Sequence, residues 1–175
     1  MIRFENLTKS FRVNGRRQVV IDGLNLALPS GRSIALLGRN GAGKSTLLEI
    51  VAGNLPPDRG RIVSDGTISF PVGLSSAFHA DLSAAENVRF VARIYGVDTE
   101  ELIAFVHDFA ELGESFFMPV RTYSSGMKAR LAFGTSMGMH FDTYLVDEVT
   151  AVGDPSFRRK SQAVFKERMR NASAV

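Results

Sequence analysis

Gly38-Arg39-Asn40-Gly41-Ala42-Gly43-Lys44-Ser45 is the stretch on which the reading of this chain turns. It has the spacing G-x-x-x-x-G-K-[ST], with Thr46 following. The glycines let successive backbone N–H groups turn inward as a nest for phosphate oxygens. A helix starting behind them adds the positive end of its dipole. Lys44 is expected to reach the β- and γ-phosphates of a nucleotide, and the Ser45 hydroxyl to sit on Mg²⁺. Ser33-Ile34-Ala35-Leu36-Leu37 in front of the loop is a short apolar run, expected as a strand buried on both faces. Lys44–Ala52 behind it reads as a helix stopped by Gly53. Strand, glycine-rich loop and helix in that order indicate an α/β domain.

Upstream the chain is β-rich. Ile2–Phe4, Phe11–Val13, Val19–Ile21 and Leu24–Leu28 read as short strands, with Asn14-Gly15 as a hairpin signal because both residues tolerate positive φ. Pro56–Gly60 and Asp65-Gly66 mark turns between small strands. Downstream the texture becomes helical. Ser83-Ala84-Ala85-Glu86 is a capping box, after which Val88, Val91, Ala92 and Tyr95 recur at helical spacing up to Gly96. Leu102, Phe105, Val106 and Phe109 repeat the pattern, closed by Gly113, and a third helix follows Gly126. A helical insert over about 81–139 therefore interrupts an α/β core formed by about 1–80 and 140–175.

Two further stretches carry chemistry. Thr143-Tyr144-Leu145-Val146 reads as a buried strand delivering Asp147 and Glu148, and an acid at that end of a strand in such a fold points into the ligand crevice. Asp147 suits the Mg²⁺ contact and Glu148 the group that polarises an attacking water. Tyr123-Ser124-Ser125-Gly126-Met127 precedes a helix rich in small residues (Ala129, Ala132, Gly134). There Ser124 or Ser125 can cap the helix, and its free N–H groups can bind an anion.

Composition narrows the class. The 175 residues carry 21 Lys+Arg and 18 Asp+Glu, a net charge of +3, with 45% hydrophobic residues and no cysteine. Disulfides, thiol chemistry and Cys-based zinc sites are thereby excluded. No apolar run approaches the roughly 18–20 residues of a spanning helix, and the N-terminus lacks the pattern of a signal peptide, so the cytoplasm is the default compartment. The basic segment Arg158, Arg159, Lys160, Lys166, Arg168 and Arg170 reads first as a solvated helix face, with anionic lipid or nucleic acid as the other reading.

Together these residues resemble the nucleotide-binding domain of the ATP-binding-cassette (ABC) superfamily, a P-loop NTPase with an N-terminal antiparallel β section and a helical insert. Gly38–Thr46 is similar to its Walker A, Leu145–Glu148 to its Walker B, and Tyr123–Met127 to its signature motif. Asp154, in Ala151–Asp154, resembles the D-loop aspartate, and Phe11 the aromatic that stacks on adenine. Phe70–Leu74, Glu86–Val88, Phe90–Arg93, Tyr123–Met127 and Val146–Asp154 further resemble the ATP-binding subunits of capsular polysaccharide exporters. That resemblance implies a homodimer with two ATP molecules between its subunits, each Walker A facing the other's signature. It also implies an integral-membrane polysaccharide permease as partner, no direct nucleic-acid binding, and a place on the cytoplasmic face of the bacterial inner membrane.

Two departures qualify the resemblance. The only glutamines are Gln18 and Gln162, so the family's Q-loop glutamine is absent near Pro71–Leu74, and coupling there must use backbone or water contacts. The family's switch histidine belongs after the helix Pro155–Arg170, and His79, His107 and His140 do not fit that role. On this reading the cassette is C-terminally truncated, a fragment or a shortened product, and nucleotide binding should survive better than turnover. The alternatives are a soluble ABC-class ATPase acting on nucleic acid and an inactive cassette that only binds nucleotide.

Overall fold

A computed structural model of the chain describes residues 1–72, 78–146 and 155–171. The chain forms two compact units. One takes in Met1–Pro71 and the segment from Phe141, and the other Val72–His140 with the C-terminal helix through Arg170.

In the first unit, β1 (Ile2–Val13) and β2 (Arg16–Leu28) form a long antiparallel hairpin, and β3 (Arg59–Ser64) pairs antiparallel with the other edge of β1. The two-residue turn has Asn14 at φ 50° and Gly15 at φ 76°, the double positive φ whose twist matches the strands it joins. Four short strands are expected from the pattern. Two continuous ones form instead, because β-bulges carry the strands across its breaks. Ile2 and Phe4 face the core, and after an irregularity at Asn6 (φ 51°) the inward phase passes to Leu7 and Lys9. Gly60 of β3 fits against this bulge. The core gathers Ile2, Phe4, Leu7 and Ile21 with Ile50 of α1 (Lys44–Val51).

The run Ser33–Leu37 departs from expectation. It forms no ladder with the described residues, and Leu37 is 92% exposed. An apolar run becomes a buried strand only where neighbours take up its N–H and C=O groups, which periodicity alone does not supply. Thr143–Val146 fares differently. Ile68 and Thr143 form a parallel bridge, Ser69 N donates to Thr143 O at 2.9 Å, and Tyr144 and Leu145 are buried.

Thr67 and Asp142 anchor that segment reciprocally. Thr67 N and Oγ1 each donate to Asp142 Oδ2 at 2.9 Å, and Asp142 N lies 3.1 Å from Thr67 Oγ1. These donors hold the Asp142 carboxyl below the usual aspartate value. A folded-state pKa lower than the unfolded one contributes stability that is fully present above about pH 4 and lost as pH falls through the lower folded value. The gap in urea midpoint between the wild type and Asp142→Asn should therefore narrow on acidification from about pH 6 to about pH 3. A gap constant over that range would show that the carboxylate contributes nothing specific.

The second unit is helical. In α2 (Ala84–Tyr95), Glu86 N donates to Ser83 Oγ while Ser83 N donates to Glu86 Oε2, completing the capping box, and Gly96 ends the helix at φ 66°. α3 (Thr99–Ala110) is capped by Asp98 and turns at Glu111 (φ 53°), two residues before the expected glycine. Glu111 takes the left-handed position itself, and its carboxylate pairs with Lys160 and Arg130. α4 (Ser125–Gly138) lies close against α3 because two of its positions lack side chains. A Cβ on Gly134 would stand 3.1 Å from the Phe109 ring, and one on Gly138 2.5 Å from Leu102 Cδ1.

α5 (Pro155–Asn171) buries Phe157 against Phe109, with ring centroids 5.3 Å apart, and the Arg130 guanidinium lies over the Phe157 ring. Its basic residues are not all solvated. Lys160 Nζ donates to Asp108 O and to Glu111 Oε1 (2.7 Å), and Arg168 Nε donates to Met137 O (2.9 Å) and pairs with His140. Two cations thus complement the carbonyl ends of α3 and α4, where the helix dipoles favour positive charge, while Arg158, Arg159, Lys166 and Arg170 stay exposed.

Candidate functional site

The phosphate-loop residues sit in the first unit, between the β section and α1. Gly41 (φ 80°) and Gly43 (φ 94°) adopt left-handed backbone that residues with side chains resist. Gly43 is constrained twice over, since a Cβ there would lie 2.5 Å from Val20 Cγ1 of β2. Ala42 N donates to Arg39 O at 3.1 Å, closing the turn, and Gly38, Arg39 and Asn40 are exposed. Lys44 Nζ donates to Gly38 O (2.7 Å) and Arg39 O (3.1 Å), so its ammonium lies across the loop. The first helical bond runs from Leu47 N to Gly43 O, and Gly43 supplies no side-chain cap. The first-turn amides, with Ser45 and Thr46 beside them, are left for an outside acceptor. A cationic, amide-rich loop at a helix N-terminus suits a polyphosphate.

Phe11 lies on β1 directly opposite Gln18 of β2 and is 38% exposed. Val20, which receives Gly43, is two residues further along the same strand. Gln18, opposite Phe11, and Val20, against Gly43, therefore stand about 7 Å apart along β2. That spacing suits a nucleotide with its base on Phe11 and its phosphates in the loop.

Of the acidic pair, the supporting segment is described and the carboxylates are not: Asp147 and Glu148 lie outside the described residues, as does Asp154. The stretch Gly73–Leu74, where the Q-loop belongs, lies outside them as well. In the second unit, Ser124 is the N-cap of α4. Its Oγ accepts from Met127 N at 3.3 Å and its carbonyl from Lys128 N at 3.0 Å. Ser124 and Ser125 are exposed, Gly126 and Met127 half-buried, and Tyr123 is buried with its hydroxyl donating to Ser115 O at 2.5 Å. Tyr123 roots the turn, and the serines and Gly126 present it.

Sequence reasoning did not single out Lys9, Asp58 or Val20. Lys9 lies outside the strands expected at Ile2–Phe4 and Phe11–Val13, its inward phase being set by the bulges of β1, and Val20 emerges only from the packing of Gly43.

The ABC transporter family model matches residues 21–151. The chain belongs to the ABC transporter family. It is thus a nucleotide-binding cassette of an ATP-hydrolysing class. It is 54% identical over 175 residues to the polysialic acid transport ATP-binding protein KpsT of Escherichia coli, covering 99% of this chain and 78% of that protein. It is 43% identical to the ATP-binding protein BexA of Haemophilus influenzae, covering 100% and 81% of the two chains. The capsule polysaccharide export ATP-binding protein CtrD of Neisseria meningitidis serogroup B is 42% identical, with the same coverage of 100% and 81%. Among solved structures, the fold matches the ATP-binding cassette MJ0796, a dimer in a post-hydrolysis state bound to ADP and Pi. That match has a TM-score of 0.78 at 21% identity and covers 100% of this chain and 86% of that one.

Proposed function

We propose that this chain is the ATP-binding subunit of an ABC exporter, powering export of capsular polysaccharide across the inner membrane. One observation carries the nucleotide part: Phe11 lies opposite Gln18 and Gly43 packs against Val20, two residues apart on β2, so base and phosphates have adjoining supports. The substrate class rests on the capsule and polysialic acid relatives at 42–54% identity, which favour transport over a soluble nucleic-acid ATPase.

In this reading Phe11 stacks on adenine, and Gly38, Arg39, Asn40, Gly41, Ala42 and Gly43 wrap the phosphates with backbone amides. Lys44 exchanges its loop carbonyls for β- and γ-phosphate oxygens. Ser45 and Asp147 hold Mg²⁺ while Thr46 adds a first-turn donor, and the ion when bound neutralises phosphate charge. Glu148 orients and polarises the attacking water. Ser124, Ser125 and Gly126 offer their helix terminus to ATP held by a second copy, with Tyr123 and Met127 shaping the turn, and Asp154 is taken as the D-loop aspartate. The working unit is a homodimer on the cytoplasmic face, docked on an integral-membrane permease. No helix of the described residues is long and apolar enough to cross a membrane, so a separate spanning partner fits.

A docking face is supported by Phe90 and Ile94, one turn apart on α2 and 61% and 62% exposed. The double variant Phe90→Ser/Ile94→Ser should keep ATP binding yet lose recovery with permease-containing membranes by about tenfold or more. Equal recovery would move the docking face elsewhere. The export reading is tested in cells lacking their own cassette. Surface polysaccharide restored by this chain supports it, and no restoration despite normal membrane recovery points to a different cargo.

A further inference from the structure

Lys9 occupies a position that packing alone would give to an apolar residue. It shares the inward phase of β1 with Leu7 and is only 9% exposed. A lysine so placed is costly unless its ammonium is satisfied. Its Nζ donates to Pro56 O at 2.7 Å and stands 3.3 Å from Asp58 Oδ1. Asp58 is itself fixed, since its Oδ2 accepts from Ser10 N (2.8 Å) and Ser10 Oγ (2.7 Å) and its own N donates to Thr8 O (2.9 Å). Those donors hold its carboxyl below the usual aspartate value.

This clasp grips β1 at Thr8, Lys9 and Ser10, immediately before Phe11. Strand pairing is irregular just before Phe11, with register shifts between Leu7 and Lys9 and again between Lys9 and Ser10, and regular pairing resumes at Ser10–Val19 and Phe11–Gln18; that ladder fixes the Phe11 backbone and leaves its ring to side-chain contacts. The Lys9 ammonium lies 5.6 Å from the Phe11 ring centroid, within cation–π range. A cation on one face leaves the opposite face for a base.

We propose that Lys9, held between Asp58 and the Pro56 carbonyl, is a positioning residue that sets the Phe11 ring for stacking on the base of the bound nucleotide. The proposal rests on the reading of Phe11 as the stacking aromatic, and it adds a part of the binding site that lies behind the ring.

Affinity for Mg-ATP and for Mg-tripolyphosphate, which has phosphates and no base, separates the possibilities. Lys9→Met keeps the aliphatic stem and removes the ammonium. It should weaken ATP binding about three- to tenfold and leave tripolyphosphate binding unchanged, and Lys9→Arg should restore most of the loss. Asp58→Asn, a milder second variant should Lys9→Met fold poorly, should show the same selectivity to a smaller degree. Equal weakening for both ligands would mean a merely structural role, and no change for either would also overturn the proposal. Phe11→Ala keeps the two readings apart. If it leaves the ATP-to-tripolyphosphate ratio intact, the stacking role of Phe11 falls and the proposal with it. If it changes that ratio while Lys9→Met does not, only the positioning role falls.

Discussion

Lys44→Ala should bind ATP about ten- to a hundredfold more weakly than the wild type and show no turnover above background. Lys44 Nζ lies across the loop with two carbonyl acceptors, Gly38 O and Arg39 O, and both are neutral. Phosphate oxygens are charged, so the exchange on binding replaces bonds from the ammonium to neutral carbonyls with bonds between opposite charges. Such bonds contribute about 1.5–3 kcal/mol, which is a factor of about ten to a hundred in affinity. Turnover suffers more, because charge on the transferred group is met by the same ammonium, and removing one such donor typically costs a further 10²–10³, roughly, in rate. The fold should be spared, since Gly41 and Gly43 set the loop conformation independently of the side chain. Binding of a fluorescent ATP analogue, turnover with the permease present, and the thermal midpoint check all three. Glu148→Gln is the companion, expected to retain binding while losing turnover. Unchanged ATP affinity in Lys44→Ala would remove the phosphate-loop assignment.

Legibility in the sequence followed the range of the interaction. The glycine-rich turn ahead of α1, the hairpin turn at Asn14-Gly15 and the capping box at Ser83–Glu86 depend on residues within a few positions of one another, and each forms at its expected place. Features set by distant partners were harder to read. Ser33–Leu37 has the composition of a central strand, yet its state depends on neighbouring strands that its own residues do not encode. The C-terminal basic segment reads as uniformly solvated because the carbonyl ends of α3 and α4, which take Lys160 and Arg168, lie 52 and 31 residues away in sequence. The continuity of β1 was hidden by its bulges, which shift the alternation that a period-two reading relies on. At the site, motif spacing located the loop, whereas the support behind Phe11 uses Pro56 and Asp58, 47 and 48 residues from the positions they contact.

Gly60→Ala should be the most destabilising single methyl addition in the β section. Gly60 has φ 80°, and a Cβ built there would stand 2.3 Å from Asn6 O, 2.4 Å from Glu5 O and 2.5 Å from Asn6 C. All three are backbone atoms of the β1 bulge, so no rotamer change relieves the overlap. The bulge must open, straining the Glu5–Arg61 and Thr8–Arg59 pairings on either side. Gly15 supplies the control, because it has nearly the same φ, 76°, with nothing within 4 Å of a Cβ. Gly15→Ala should cost only the left-handed backbone penalty, about 1–2 kcal/mol. Gly60→Ala should cost about 3–5 kcal/mol, a large share of the roughly 5–15 kcal/mol that stabilises a domain. Urea unfolding of both variants isolates the steric part as their difference. A difference near zero would mean that β1 shifts freely at Asn6. Such freedom would bear on binding as well, since β1 runs from that bulge directly into Lys9 and Phe11. A bulge that cannot move instead makes Gly60 part of what fixes the strand that leads to Lys9 and Phe11, the proposed start of the nucleotide site.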